Sequence, residues 1–212
     1  MTYYMAQVGS ATFGLNMPES DVDIGIVTTD FSGPMHDGDR HYIRVWPGQF
    51  RDALLRLDHV QWLQWLYPAQ VIEAGELGAW ISANGERLIT ANRARVYDAY
   101  MRMARRLRAR APSYYPAATK MMVYSTLHYD TIARYGAGIP FAKAIRPDEG
   151  MRQLLLEMRR RELPLTEAMA INDDAKARAE AAAGKCDVPA NDEYLRRCAR
   201  EMGEILELET DT

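Results

Sequence analysis

Apolar residues recur along this chain with two different periods. Between residues 3 and 46 they form short runs bounded by Gly, Pro and Asp: residues 3–8, 21–28 and 41–46. Short runs rich in β-branched and aromatic side chains read as strands. The first ends at Gly9, the second contains Ile24, Ile26 and Val27, and Pro47 stops the third. Residues 11–16 predict a short helix, residues 17–20 a turn, and residues 30–39, full of Gly, Pro and Asp, a loop. The third strand is expected to lie antiparallel beside the second, because the loop between them is too short for a helical crossover of about a dozen residues.

From residue 48 the period lengthens to that of a helix. Phe50, Leu54, Leu55 and Leu57, then Val60, Leu63, Trp65 and Leu66, predict two helices broken near residues 58–59 and stopped by Pro68. Residues 71–73 read as a short strand or an extended link, and residues 77–89 fit no single pattern. Helices follow over residues 92–111, where Val96, Tyr100, Met103 and Leu107 make one stripe before Pro112, and over 117–135, with Gly136 just past the end. Residues 147–161, 165–184 and 191–208 complete the helices, with Asn191 as an N-cap and a fraying acidic end at 204–212. The expectation is an α+β fold. A small mixed or antiparallel sheet lies within residues 1–90, and a mostly helical domain, residues 91–212, packs on it.

Composition narrows the class without choosing a function. A chain of 212 residues, 48% hydrophobic and 26% charged, is that of an ordinary soluble protein. The net charge of -3 argues against a generally polycationic nucleic-acid binder, while leaving room for a local basic groove. No apolar run approaches the ~20 residues that span a bilayer. The first ten residues lack the basic and apolar regions of a signal peptide. Cys186 and Cys198 are too few for a zinc site or a disulfide framework, so the expected setting is reducing and cytoplasmic.

Candidate chemistry is concentrated in residues 8–27, VGSATFGLNMPESDVDIGIV. In an extended segment, residues two apart face the same way, so Asp21 and Asp23 would present two carboxylates on one side. Such oxygen ligands suit Mg²⁺, which is held by one or two carboxylates plus substrate phosphates. Gly9-Ser10 would bring backbone N–H groups and one hydroxyl close to a phosphate, with the dipole of the short helix behind it.

The string GSxxxGxxxxxSDxD, formed by Gly9, Ser10, Gly14, Ser20, Asp21 and Asp23, resembles the signature of the nucleotidyltransferase superfamily that includes DNA polymerase beta. Within it, the chain resembles the predicted nucleotidyltransferases of bacteria and phages, some of them encoded beside RNA ligases. Phe50 with the following LLRLDHVQWLQWLYP, Lys120 followed by His128, and Arg159-Arg160-Arg161-Glu162-Leu163 extend the likeness more loosely. The resemblance implies a sheet of the nucleotidyltransferase type wrapped by helices. It implies an enzyme that moves a nucleoside monophosphate from an NTP to a hydroxyl acceptor, such as an RNA end, with Mg²⁺ or Mn²⁺. Asp21 and Asp23 would hold the metal, Gly9 and Ser10 the phosphates, and Lys120 would supply a cation for the nucleotide. A solvated surface lysine is the alternative for Lys120.

One departure stands out. Members usually carry a third carboxylate on the strand after DxD, and residues 41–46 contain no acid. In the register set by Phe50 that place falls on His41, with Asp39 the nearest acid of the same parity. Either Asp39 or His41 is the third ligand, or the site is degenerate and the protein binds nucleotide, RNA or a partner without catalysis. Imidazole suits Mn²⁺ or Zn²⁺ better than Mg²⁺. Elsewhere, Arg102, Arg105, Arg106, Arg108 and Arg110 read as either an RNA-tracking row or a solvated helix face. His128 reads as a core histidine, and Trp46, Trp62, Trp65 and Trp80 as core anchors.

Overall fold

The computed structural model describes residues 1–32, 35–57, 59–114 and 119–208. Parts of the expected loop at 30–39, of the break at 58–59, of the helix start at 117 and of the acidic end lie outside these residues. The chain is α+β, with a five-stranded mixed sheet near the N-terminus followed by a mostly helical remainder. It divides into two compact units, residues 1–92 with 189–212, and residues 93–188. The sequence pattern assigns everything past residue 90 to one helical domain, whereas the last helix is part of the first unit.

The sheet of the first unit holds β1 (Thr2–Gln7), β2 (Val22–Thr28), β3 (His36–Asp37), β4 (Arg40–Val45) and β5 (Gln70–Glu73), in the order β3-β4-β2-β1-β5. β1 is antiparallel to both β2 and β5. β4 runs parallel to β2, with Asp23 opposite His41 and Val27 opposite Val45, which corrects the antiparallel expectation. The reason is β3. β3 pairs antiparallel with β4, and the chain reverses between them through Gly38 and Asp39. The two-residue β3 at the sheet edge turns the chain back into β4 in the direction of β2, so a parallel pair forms with no helix among the described residues between them.

β2 is central, and Ile24, Ile26 and Val27 on its two faces are all buried, as expected of a strand covered on both sides. Residues paired across the ladders share a face, so Tyr4, Ala6, Asp23, Gly25, Val27, His41 and Val45 point the same way. Helix α2 (Val60–Leu66) lays Trp65 against this face. A Cβ on Gly25 would sit 2.7 Å from the Trp65 indole, so only glycine admits the ring there. The Tyr4 hydroxyl donates to the Trp65 carbonyl at 3.1 Å. Phe50 of α1 (Pro47–Arg56) closes on Trp65, with ring centroids 5.3 Å apart.

The segment without a single sequence pattern is α3 (Gly75–Ala91), packed on β1. Helix α10 (Asp192–Ile205) packs on α1 and α3 through Tyr194, Leu195, Cys198 and Met202. Asn191 caps it as expected, its Oδ1 accepting from the Tyr194 N–H at 3.0 Å. Trp65 and Trp80 are core residues, but Trp46 is 52% exposed and stacks on Phe31, centroids 4.7 Å apart. Trp46 precedes Pro47, at the cap of α1, where its side chain leaves the sheet.

The second unit contains α4 (Arg93–Tyr114), α5 (Thr119–Gly136), α6 (Phe141–Ala144), α7 (Glu149–Arg160), α8 (Leu165–Ala181) and α9 (Ala183–Cys186). Its centre is α5, which packs on α4, α7 and α8 and is buried along most of its length. That burial extends to polar side chains. Ser125 donates to the Ala104 carbonyl, and Asn172 of α8 donates to Ser125 and Thr126, each at 2.9 Å. His128 is buried edge-on to Tyr100, a core position as the sequence implies. Pro112 lies inside α4, which runs on to Tyr114 rather than stopping before the proline. Among the described residues, no helix is long and apolar enough to cross a membrane.

Candidate functional site

The glycine turn and the acid strand meet at one point. Gly9 follows β1 with a φ of +74°, in the left-handed region that favours glycine. A Cβ at Gly9 would lie 2.2 Å from Oδ2 of Asp23, so the carboxylate rests against the bare glycine backbone. The Val8 N–H donates to the Asp23 carbonyl at 2.9 Å, which keeps β1 and β2 in step up to this turn. Gly9 is thus constrained twice, by its dihedral and by the acid it adjoins.

Residues 9–13 form a five-residue 3-10 turn rather than the expected helix over 11–16. Gly14 closes it in the left-handed conformation, and the Leu15 N–H donates to the Ser10 carbonyl. The turn is too short to carry the dipole expected of a helix. The Gly9 N–H is donated to Oε1 of Gln64 on α2, at 2.9 Å. Ser10 is largely buried, and Val8 rather than Ser10 holds the cap position of the turn.

Asp23 lies within β2, whereas Asp21 precedes the strand and is exposed. Oδ1 of Asp23 and Nδ1 of His41 are 3.1 Å apart, and each side chain is about one-third exposed. In the tautomer that carries its hydrogen on Nδ1, His41 donates to the Asp23 carboxylate and keeps a lone pair on Nε2. The His36 ring stacks on His41, centroids 4.6 Å apart and nearly parallel at 9°. His41 therefore shares the Asp23 side of the sheet, the side expected from its parity. Asp39 sits in the exposed turn before β4, where its backbone carbonyl accepts from the Val22 N–H at 2.8 Å. Among the described residues, no three His, Cys, Asp or Glu side chains converge as a group that would hold a metal.

The other candidates belong to other elements. Lys120 is an exposed residue near the start of α5, in the second unit. The arginine row of α4 is partly neutralised: Arg105 pairs with Glu180 and Arg108 with Asp173, both on α8. Sequence reasoning missed Gln64 and a second group of arginines, Arg87 on α3 with Arg196, Arg197 and Arg200 on α10, which line one cavity of the first unit. The RRxxR spacing of the last three was a visible signal, but nothing in the sequence joins it to Arg87.

Comparison of the chain with family models, with curated proteins and with solved structures finds no match.

Proposed function

We propose that this protein is a metal-dependent nucleotidyltransferase that moves a nucleoside monophosphate from an NTP to a hydroxyl acceptor, an RNA end among the candidates. The observation that carries the reading is the seat of the Asp23 carboxylate on the bare Gly9 backbone. It makes the glycine turn and the acidic strand one built unit, as a site for a metal-bound triphosphate requires. The DxD carboxylates fit a hard divalent cation as donors. Asp21 and Asp23 would hold Mg²⁺ or Mn²⁺, with His41 or Asp39 as third ligand and substrate phosphates completing the set. Bound there, the ion would supply positive charge at the phosphates and polarise the attacking hydroxyl.

The rest falls to the chain. Gly9 and Ser10 would receive the β and γ phosphates, and a phosphate taking the Gly9 N–H would displace Gln64 Oε1 from it. His41, hydrogen-bonded to Asp23, would hold that carboxylate in one rotamer. Catalysis of this kind rests on positioning and electrostatics, so it needs no nucleophilic side chain. The two cysteines are free and buried, in keeping with a reducing compartment.

The test is equilibrium binding of each labelled NTP in Mn²⁺, followed by pyrophosphate release with total RNA and cell lysate as acceptors. Asp23→Asn should abolish binding while leaving the thermal transition nearly unchanged. Binding equal to wild type in that variant places the site elsewhere. The second reading, a degenerate nucleotidyltransferase-like binding protein, is favoured by the lack of a third acid on β4. Tight NTP binding without pyrophosphate release from any NTP or acceptor would select it.

A further inference from the structure

Helices α3 and α10 enclose a cavity of about 490 Å³ lined by Arg87, Arg196, Arg197 and Arg200, with Glu193 as the one carboxylate in its wall. Residues 196, 197 and 200 fall on one face of α10, since positions three and four apart are neighbours on a helix. Tyr194 lies at the centre. The Arg87 guanidinium carbon stands 4.5 Å from its ring centroid and that of Arg197 stands 5.0 Å away. The tyrosine ring is held in turn by its hydroxyl, which donates to Asn84 Oδ1 at 3.3 Å. The ring thus fixes two guanidiniums by cation–π contact and leaves the N–H edge of Arg87 unspent.

Arg197 has a partial counter-charge in Glu201, at 3.6 Å. Among the described residues, no carboxylate pairs with Arg87, Arg196 or Arg200. This contrasts with α4, whose Arg105 and Arg108 face acids of α8. Four like charges converging on one cavity repel each other, and the wall offers only Glu193 against them. A concave site of this size is on the scale of small-molecule pockets, about 300–1,000 Å³. The fork of each guanidinium matches the oxygens of phosphate.

We propose that this cavity is a binding site for a small polyphosphorylated ligand, one carrying two or three linked phosphates. It is made by elements other than the glycine turn and β2, and it stands independently of the nucleotidyltransferase reading. The concave form and the pinned guanidiniums favour a compact polyanion over the extended backbone of a nucleic acid, which is tracked by an open row of charge.

The experiment is calorimetric titration of the full chain with inorganic tripolyphosphate in excess EDTA, so that no metal-dependent site contributes. Wild type is expected to bind one equivalent. The double variant Arg196→Ala/Arg200→Ala should bind at least about tenfold more weakly, the scale of losing charge-assisted hydrogen bonds. Both side chains are exposed, so the thermal transition should hold. Glu193→Gln should bind more tightly than wild type, a change of direction that loss of fold cannot imitate. Asp23→Asn should bind tripolyphosphate as wild type does, which keeps this result separate from that of the proposed active site. The proposal is overturned if wild type does not bind, if the arginine variants bind unchanged, or if Asp23→Asn loses binding. It is overturned equally if a single-stranded RNA oligomer binds through these arginines while tripolyphosphate fails to compete, since the surface would then be a nucleic-acid one.

Discussion

Gly9 carries the most constraint of any residue in the candidate site. Its φ of +74° disfavours a side chain, and Asp23 Oδ2 already fills the place of a Cβ. Gly9→Ala must therefore move either the turn or the carboxylate. The expected cost is roughly 1–3 kcal/mol of stability, the usual range for a strained backbone position, read as a lower midpoint in urea. Metal-dependent NTP binding should fall with it. Ser10→Ala should cost binding alone, about 0.5–1.5 kcal/mol if one hydrogen bond to phosphate is lost. Equal NTP affinity for Gly9→Ala and wild type would count against a phosphate cradle. The cluster of Gly9, Asp23 and His41 was legible in the sequence because it depends on local spacing and strand parity. Gln64 was not, because its bond to Gly9 spans 55 positions and no local pattern marks it.

At the scale of elements, hydrophobic period located the helices of seven residues or more except α3, since each buries a stripe. It could not orient β4, because the direction of a strand is set by the path of the chain outside it. It also left α3 undecided: apolar residues there follow no clean stripe, and contact with β1 and α10 settles the matter. Helix α5 shows what burial does to a charged group. Asp130 is 1% exposed. Burial raises its carboxyl pKa, opposed by the hydrogen bond from Arg178 at 3.0 Å and by the charges of Arg178 and Arg134. A carboxyl with a higher pKa folded than unfolded binds its proton more strongly in the native state. Its contribution therefore improves as pH falls through the native pKa toward the unfolded value of about 3.9. Melting wild type and Asp130→Asn side by side across this interval should show the difference between them moving in favour of wild type on acidification. Parallel pH profiles would mean that Asp130 does not govern this behaviour.

For the whole molecule, the second unit interrupts the first in sequence. The Asn191 N–H donates to the Ala91 carbonyl at 3.0 Å, so the two strands of chain that enter and leave the interruption lie side by side. Removing residues 93–188 and joining the ends with a linker of about two to four residues should therefore require little rearrangement. The shortened chain is expected to keep a cooperative thermal transition, because the sheet, α1, α3 and α10 supply a core of their own. A chain that melts without cooperativity would show that the first unit needs the second. Sequence composition gave no hint of this arrangement, since no linker-like stretch marks either junction and α10 is as helical as its neighbours.

The return of α10 also sets the order in which the protein is born. A ribosome delivers α1 and α3 well before α10, with roughly 100 residues of inserted chain in between. At about 5–20 residues per second, the apolar flanks of α1 and α3 wait roughly 5–20 s for their partner. During that interval the middle of the chain is free to fold while the earlier part stands unfinished. The nascent protein matures from the inside out, and its window of exposure to chaperones or to misassociation closes only when the last helix arrives.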